Sequence, residues 1–205
     1  MTRPPFTYLA LGDSTGVGVG ATHGGGYADR LHRRLLSSHP SARLVNLCQS
    51  GARSADVREE QVPRARRTLA RVVTLAVGIN DVGLDLPEES FAINVEEIAV
   101  ALASLEAPIV IVNIPDLALA PAAALIDRTR YERRIELFNE HIEATAARHR
   151  FSHVDLHAAS RRFGGKPGLF SPDGFHPSAA GYEAWAETMW PAVEAAAAQE
   201  RTLRA

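Results

Sequence analysis

Cysteine is nearly absent. Cys48 stands alone among 205 residues, which excludes an internal disulfide framework and any cysteine-based zinc cluster. Lysine is as scarce, with Lys166 its one instance beside abundant Arg and Ala, a bias that reads as genomic base composition rather than chemistry. No charge of one sign dominates: the formal net charge is -2, and the arginines are scattered along the chain. No electrostatic footprint for nucleic acid follows. Long apolar runs are missing too, because Arg, Glu or Pro interrupts each one before the roughly 18 to 20 residues of a membrane span. The N-terminal Met1-Thr2-Arg3-Pro4-Pro5 leads into an apolar run, Phe6 to Leu11, that meets Gly12-Asp13 too early to form a signal-peptide core. A soluble, cytoplasmic protein is expected, its oligomeric state open with a monomer favoured. No repeat, linker or low-complexity segment divides the chain, and 46% hydrophobic with 22% charged residues suits one sizeable core. A single domain over residues 1–205 is expected.

What is present is alternation. Short apolar runs rich in β-branched residues recur at Phe6–Leu11, Arg43–Cys48, Val72–Val77, Pro108–Asn113 and Ser152–Leu156, each bounded by Gly, Pro, Asn or Asp; these predict five strands. Between them, helical spacing covers Tyr27–Leu36, Ser54–Leu69, Glu88–Leu105 and Arg130–Arg148. In the last of these, Tyr131, Ile135, Phe138 and Ile142 share one face. A final helix is expected over Ser178–Ala198, with Tyr182, Trp185 and Met189 as a core-packing stripe. Repeated strand-helix alternation predicts an α/β fold, a three-layer α/β/α sandwich around a five-stranded parallel sheet. Ligands in such folds bind at the carboxyl ends of the strands.

Chemistry-bearing residues follow those strand ends. The first strand runs into Gly12-Asp13-Ser14-Thr15-Gly16, the second into Gln49-Ser50-Gly51-Ala52 and the third into Gly78-Ile79-Asn80-Asp81. The fifth precedes Asp173-Gly174-Phe175-His176-Pro177. Serine is a poor nucleophile unless a base within hydrogen-bond reach takes its proton, and His176 fits that task for Ser14. Asp173, three residues earlier, is one tight turn from the imidazole and is placed to fix its tautomer. Ser178 is the expected N-cap of the helix that follows. Negative charge developing on a carbonyl oxygen needs preorganised donors. The Asn80 amide and the N–H groups of Gly51 and Ser14 are the candidates, glycine letting the main chain approach without a Cβ in the way.

Gly12-Asp13-Ser14, Gly51 within Asn46-Leu47-Cys48-Gln49-Ser50-Gly51, Gly78-Ile79-Asn80-Asp81 and Asp173-Gly174-Phe175-His176 resemble the four ordered blocks of the GDSL/SGNH hydrolases, and the likeness spans almost the whole chain. It implies the flavodoxin-like sandwich of that family, with Ser14 as nucleophile, His176 as base, Asp173 as its orienter and Gly51 and Asn80 in the oxyanion hole. It also implies hydrolysis of small-molecule esters or thioesters without cofactor or metal. The stretch Thr15-Gly16-Val17-Gly18-Val19-Gly20 lacks the Leu that often follows the first motif, which bears on subfamily only.

Other readings compete. Gly12-Asp13-Ser14-Thr15-Gly16 satisfies the G-x-S-x-G pattern of α/β-hydrolases, but here the serine follows the first strand and the Asp lies three residues from the His. The glycines from Gly12 to Gly26 match no phosphate-binding pattern. A metallohydrolase using Asp13, Asp81, Asp173 and His176, a carbohydrate acetylesterase and a non-catalytic acyl- or glycan-binding module remain as alternatives. His23, His32, His39, His141, His149, His153 and His157 are read as surface or packing residues, and Cys48 as a small buried residue. The long apolar segment Ile114–Ile126 leaves the same sheet edge and is expected to line a pocket for a short- to medium-chain acyl group.

Overall fold

The computed structural model describes residues 6–163 and 166–202. The N-terminal lead Met1–Pro5 lies outside them, as do the two ends of the expected domain. Five strands form one parallel sheet: β1 (Thr7–Gly12), β2 (Arg43–Asn46), β3 (Val72–Ala76), β4 (Ile109–Val112) and β5 (Ser152–Val154). Their order is β2-β1-β3-β4-β5, the flavodoxin-like arrangement. The chain therefore changes direction between β1 and β3. A crevice opens at that switch point, outside the carboxyl ends of the two strands.

The helices are α1 (Ser14–Val17), α2 (Tyr27–Ser38), α3 (Ser54–Asp56), α4 (Val62–Ala65), α5 (Ile79–Gly83), α6 (Glu88–Ala103), α7 (Arg128–His149), α8 (Leu156–Phe163) and α9 (Ala179–Thr202). Strand side chains alternate between two apolar layers, as the pleat requires. Leu9, Leu11, Val73, Leu75, Ile109 and Ile111 face one layer, with Phe91, Ile98 and Leu102 of α6 and Ile135, Phe138 and Ile142 of α7. Phe91 stacks on Phe138 at 4.4 Å between ring centroids. Tyr8, Ala10, Val72, Val110 and Val112 face the other layer, with Leu31 and Leu35 of α2 and Met189 and Val193 of α9. Both faces of the three central strands are covered, which is why these strands read as unbroken apolar runs.

The helix expected over Ser54–Leu69 is not continuous. It breaks into α3, a π turn over Val57–Gln61 and α4, and ends at Ala65. Pro63 has no N–H to offer the carbonyl four residues back and its ring crowds that position, so the chain widens into the π turn just before it. The widened turn aims the fully buried Gln61 at the end of β1. There its Oε1 accepts from Gly12 N–H at 2.9 Å and its Nε2 donates to Gly12 O at 2.8 Å. The fifth strand is also shorter than expected, because Leu156 already begins α8. Ser178 caps α9 as anticipated, its Oγ accepting from Gly181 N–H at 3.2 Å.

Replacing Gln61 by Leu leaves the buried Gly12 N–H without this partner, at a cost of about 1 to 3 kcal/mol. Urea unfolding of Gln61→Leu is expected to show that loss with an unchanged slope. A midpoint equal to wild type would mean that water or a shifted backbone serves the Gly12 amide as well.

Candidate active site

Gly12 closes β1 where the chain must turn sharply over the sheet edge. Its φ is +149°, and a Cβ there would lie 2.2 Å from Ala76 O on the neighbouring strand, so only glycine fits. Asp13 is the N-cap of α1: its Oδ1 accepts from Thr15 N–H at 2.9 Å and from the Thr15 hydroxyl at 2.7 Å. That cap delivers Ser14 to the first position of a four-residue helix at the switch point. Ser14 is almost fully buried, and its Oγ stands 3.1 Å from His176 Nε2.

The opposite imidazole nitrogen, Nδ1, lies 2.7 Å from Asp173 Oδ2. The other carboxylate oxygen, Oδ1, accepts three bonds: from the Ser171 hydroxyl at 2.7 Å, from Phe175 N–H at 2.8 Å and from His176 N–H at 2.9 Å. Partial burial disfavours the Asp173 anion, but the donors from Phe175, Ser171 and His176 outweigh it and hold the carboxyl far below the usual carboxylate range. The imidazole therefore faces an anion at every pH of interest. Gly20 backs this loop from the glycine-rich segment after α1. A Cβ at Gly20 would come within 2.8 Å of His176 Cβ and 2.9 Å of Ser171 Cβ. Tyr182 of α9 ties the same segment down by donating to Val19 O at 2.7 Å.

Gly51 sits in a turn closed by Ala52 N–H donating to Gln49 O at 3.2 Å. Its φ of +79° demands glycine, and no atom lies within 4 Å of where its Cβ would be. The position is thus set by backbone conformation as well as by open space on the crevice side. Asn80 begins α5 with Ile79, and its Nδ2 donates to Ala52 O at 2.8 Å, leaving the second amide hydrogen free to point elsewhere. Asp81 fastens the same two turns together, accepting from Ser54 N–H at 2.9 Å and from the Ser54 hydroxyl. The structure thus joins Ser14, His176 and Asp173 in one hydrogen-bonded chain and links Asn80 to the Gly51 turn through Ala52.

Asp13 and Asp81 are both turned to local bonds, and among the described residues no three His, Cys, Asp or Glu side chains gather as a metal ion would need. Cys48 packs behind α1, its Sγ 2.3 Å from where a Gly16 Cβ would be and 3.8 Å from Tyr27 Oη. Burial pushes its thiol well up from the ordinary value. Several of the other histidines have partners: His141 Nε2 lies 2.7 Å from Glu88 and His149 Nε2 lies 2.8 Å from Glu96, both between α6 and α7.

Beside His176 opens an apolar cavity, about 660 Å³ counted out to its mouth with open solvent included, of which about 60 Å³ is clear interior space. Pro115, Leu117, Leu119 and Ala120 line it, as the sequence of this segment led one to expect, whereas Leu125 and Ile126 at its far end are exposed. Asp116 also lines it, with Oδ1 bonded to Ala118 N–H and Arg161 beside Oδ2 at 3.2 Å. Phe170, Phe175 and Trp185 complete the wall. Trp185 adds to the sequence reading: Tyr182 and Met189 are fully buried, and Trp185, which packs against both core layers as expected, also presents part of its ring to the cavity. An apolar stripe on a helix gives no sign of which member also borders a cavity.

Burial pushes the Asp13 carboxyl from 3.8 up to about 6, against the bonds from Thr15, and its Oδ2 has no hydrogen-bond partner. A carboxyl with a raised folded-state value favours folding while protonated, and that advantage, about 3 kcal/mol at most, is lost as pH climbs from about 4 through 6. Asp13→Asn keeps the oxygen that Thr15 uses and removes the charge. Its stability relative to wild type is expected to improve between about pH 4.5 and 7.5 in parallel urea titrations. A pH-independent difference would show that Asp13 carries no such penalty.

Comparison with known proteins agrees with this geometry. Residues 10–184 match the model of the GDSL-like Lipase/Acylhydrolase family. The structure resembles that of TesA at 25% identity, with a TM-score of 0.76 over 92% of this chain and 98% of that one. It also resembles the lipase Lip_vut3 from a goat rumen metagenome at 23% identity, with a TM-score of 0.70 over 91% and 97%. Axe2, an acetylxylan esterase from Geobacillus stearothermophilus, is similar at 18% identity, with a TM-score of 0.75 over 92% and 94%. The latter two carry the fold alone. No curated protein matches the sequence. With a family model covering most of its length and the family's fold around a Ser-His-Asp arrangement, the chain belongs to the GDSL-like lipase/acylhydrolase family of ester-hydrolysing enzymes.

Proposed function

We propose that this enzyme cleaves short- to medium-chain acyl esters or thioesters through an acyl-enzyme on Ser14, with His176 as general base and acid and Asp173 as its orienter. The observation that carries the reading is the hydrogen-bonded chain from Asp173 through His176 to Ser14, opening beside an apolar cavity. Ser14 Oγ attacks the carbonyl carbon as His176 Nε2 takes its proton, and the same proton passes to the departing alcohol or thiol. Water then enters, loses a proton to Nε2 as it attacks the acyl carbon, and that proton passes to Ser14 Oγ as the acyl–oxygen bond breaks and the acid leaves. The tetrahedral oxyanion is met by the N–H groups of Ser14 and Gly51 and by the second amide hydrogen of Asn80, whose first is spent on Ala52 O. Membership of the family and the apolar lining favour an alkyl acyl group. No helix among the described residues is long and apolar enough to cross a membrane, and nothing in the mechanism requires one.

The test is hydrolysis of p-nitrophenyl esters from acetyl to dodecanoyl by wild type and Ser14→Ala. Wild type is expected to be active with short to medium chains and the variant to lose activity by about 10⁴-fold or more. Activity confined to acetylated sugars would move the substrate to the carbohydrate acetylesterases. Stoichiometric acyl binding without turnover or organophosphonate labelling would leave a binding module.

Asp173 supports a second measurement. Asparagine there offers one oxygen, and the three donors at Oδ1 will claim it. Its NH₂ then faces His176 Nδ1 and forces the proton onto Nε2, the nitrogen that must accept from Ser14. Asp173→Asn is expected to lower kcat by about 10³- to 10⁴-fold with stability little changed. In wild type the rate should fall on the acid side, because Asp173 stays ionised while a protonated His176 cannot accept from Ser14. A flat profile through mildly acidic pH would remove His176 from the role of base.

A further inference from the structure

A second, smaller cavity lies deeper, against the carboxyl ends of β3 and β4. Its clear interior is small, about 10 Å³ within about 270 Å³ counted out to open space, and Tyr27, Val77, Val112, Leu156 and Met189 are among the side chains around it. Its one amide, Asn113, is already engaged: Nδ2 donates to Asp155 at 2.9 Å and Oδ1 accepts from His157 N–H at 2.9 Å. The chamber is therefore a narrow apolar recess, which a hydrocarbon chain can enter once a side chain in its wall is shortened.

Four residues line both chambers: Thr15, Ile79, Pro115 and Trp185. Thr15 is fixed by its two bonds to Asp13, and Ile79 is held in the first turn of α5 beside the proposed oxyanion site. Pro115 carries only a short rigid ring. Trp185 alone brings a large side chain, projecting from α9 between Tyr182, which meets it edge-on at 6.0 Å, and the buried Met189 one turn on.

We propose that the Trp185 indole is the partition between the two chambers and sets the upper limit of acyl-chain length. The proposal rests on the ester-hydrolase reading of the Ser14 site. A chain entering beside His176 fills the outer chamber and stops at the indole, with the inner chamber closed behind it. Shortening the side chain joins the two. Each methylene that then leaves water for the inner chamber raises kcat/KM by about fourfold, the equivalent of about 0.8 kcal/mol.

The experiment measures kcat/KM for p-nitrophenyl esters from butanoyl to hexadecanoyl with wild type, Trp185→Phe, Trp185→Leu and Trp185→Ala, each checked for its thermal unfolding transition. The optimum is expected to move to longer chains by several carbons in Trp185→Ala and by fewer in Trp185→Leu, with Trp185→Phe close to wild type. A folded Trp185→Ala whose chain-length profile superposes on that of wild type overturns the proposal. Should that variant not fold, Trp185→Leu decides by the same criterion. A parallel titration of octanoate, dodecanoate and hexadecanoate into Ser14→Ala, with and without Trp185→Leu, reads the partition without turnover, and a gain confined to the longest chain is expected. If no ester is hydrolysed by any of these proteins, the catalytic reading falls while the fatty-acid titration still tests the partition.

Discussion

The close approach of β1 to β3 at Gly12 is the constraint on which the rest of this site depends. Side-chain atoms are excluded there by the Ala76 carbonyl, and the backbone is clamped by the buried amide of Gln61. Because the sheet order reverses between these two strands, the turn after Gly12 emerges into the crevice rather than beneath a crossover helix. Asp13 then bends the chain into α1 through its bonds to Thr15. Ser14 is placed by backbone geometry before any catalytic partner is considered, and Asn80 leaves β3 on the other side of the same crevice.

His176 reaches this position from far along the chain, and its loop is built to have one conformation. Asp173 divides its two oxygens between tasks. One gathers three donors from Ser171, Phe175 and His176 and so fixes the loop, leaving the other to accept from the imidazole. Structure and electrostatics coincide, since the donors that shape the turn also keep the carboxylate ionised. Gly20 and Tyr182 close the back of the loop, the first by having no side chain and the second by anchoring Val19. The glycine-rich stretch after Ser14, which resembles a phosphate loop in composition, serves here as close-packed backing for the proposed base.

Around this polar chain the environment is apolar. Most of the wall comes from three separate parts of the chain, the segment after β4, the loop that carries His176, and α9, with Thr15, Ile79 and Ser160 completing it. A carbonyl bound in such a place exchanges water for fixed N–H donors, the condition under which those donors have their largest effect. The same construction leaves Asp13 buried with one oxygen unpartnered, a local instability next to the proposed nucleophile Ser14. Sites of this type commonly retain such costs where a side chain must hold a nucleophile in place.

The sequence by itself determined the layered α/β class and the order of its strands along the chain, because both faces of a parallel sheet are buried and its strands must be apolar runs bounded by turn residues. It also marked the candidate site, since Ser14, Gly51, Asn80, Asp173 and His176 sit in short local motifs at strand ends, while bringing His176 to Ser14 across the chain was left to the fold. Tertiary structure decided what depended on neighbours. The π turn at Val57–Gln61 exists because Pro63 disrupts a regular helix while Gln61 must reach Gly12, and no periodicity encodes that second demand. Trp185 shares the helical spacing of Tyr182 and Met189 and packs against the same core, yet part of it also borders the cavity beside His176. Periodicity reports which face of a helix is apolar. What that face meets, a packed sheet or an open cavity, is fixed only when the other elements arrive.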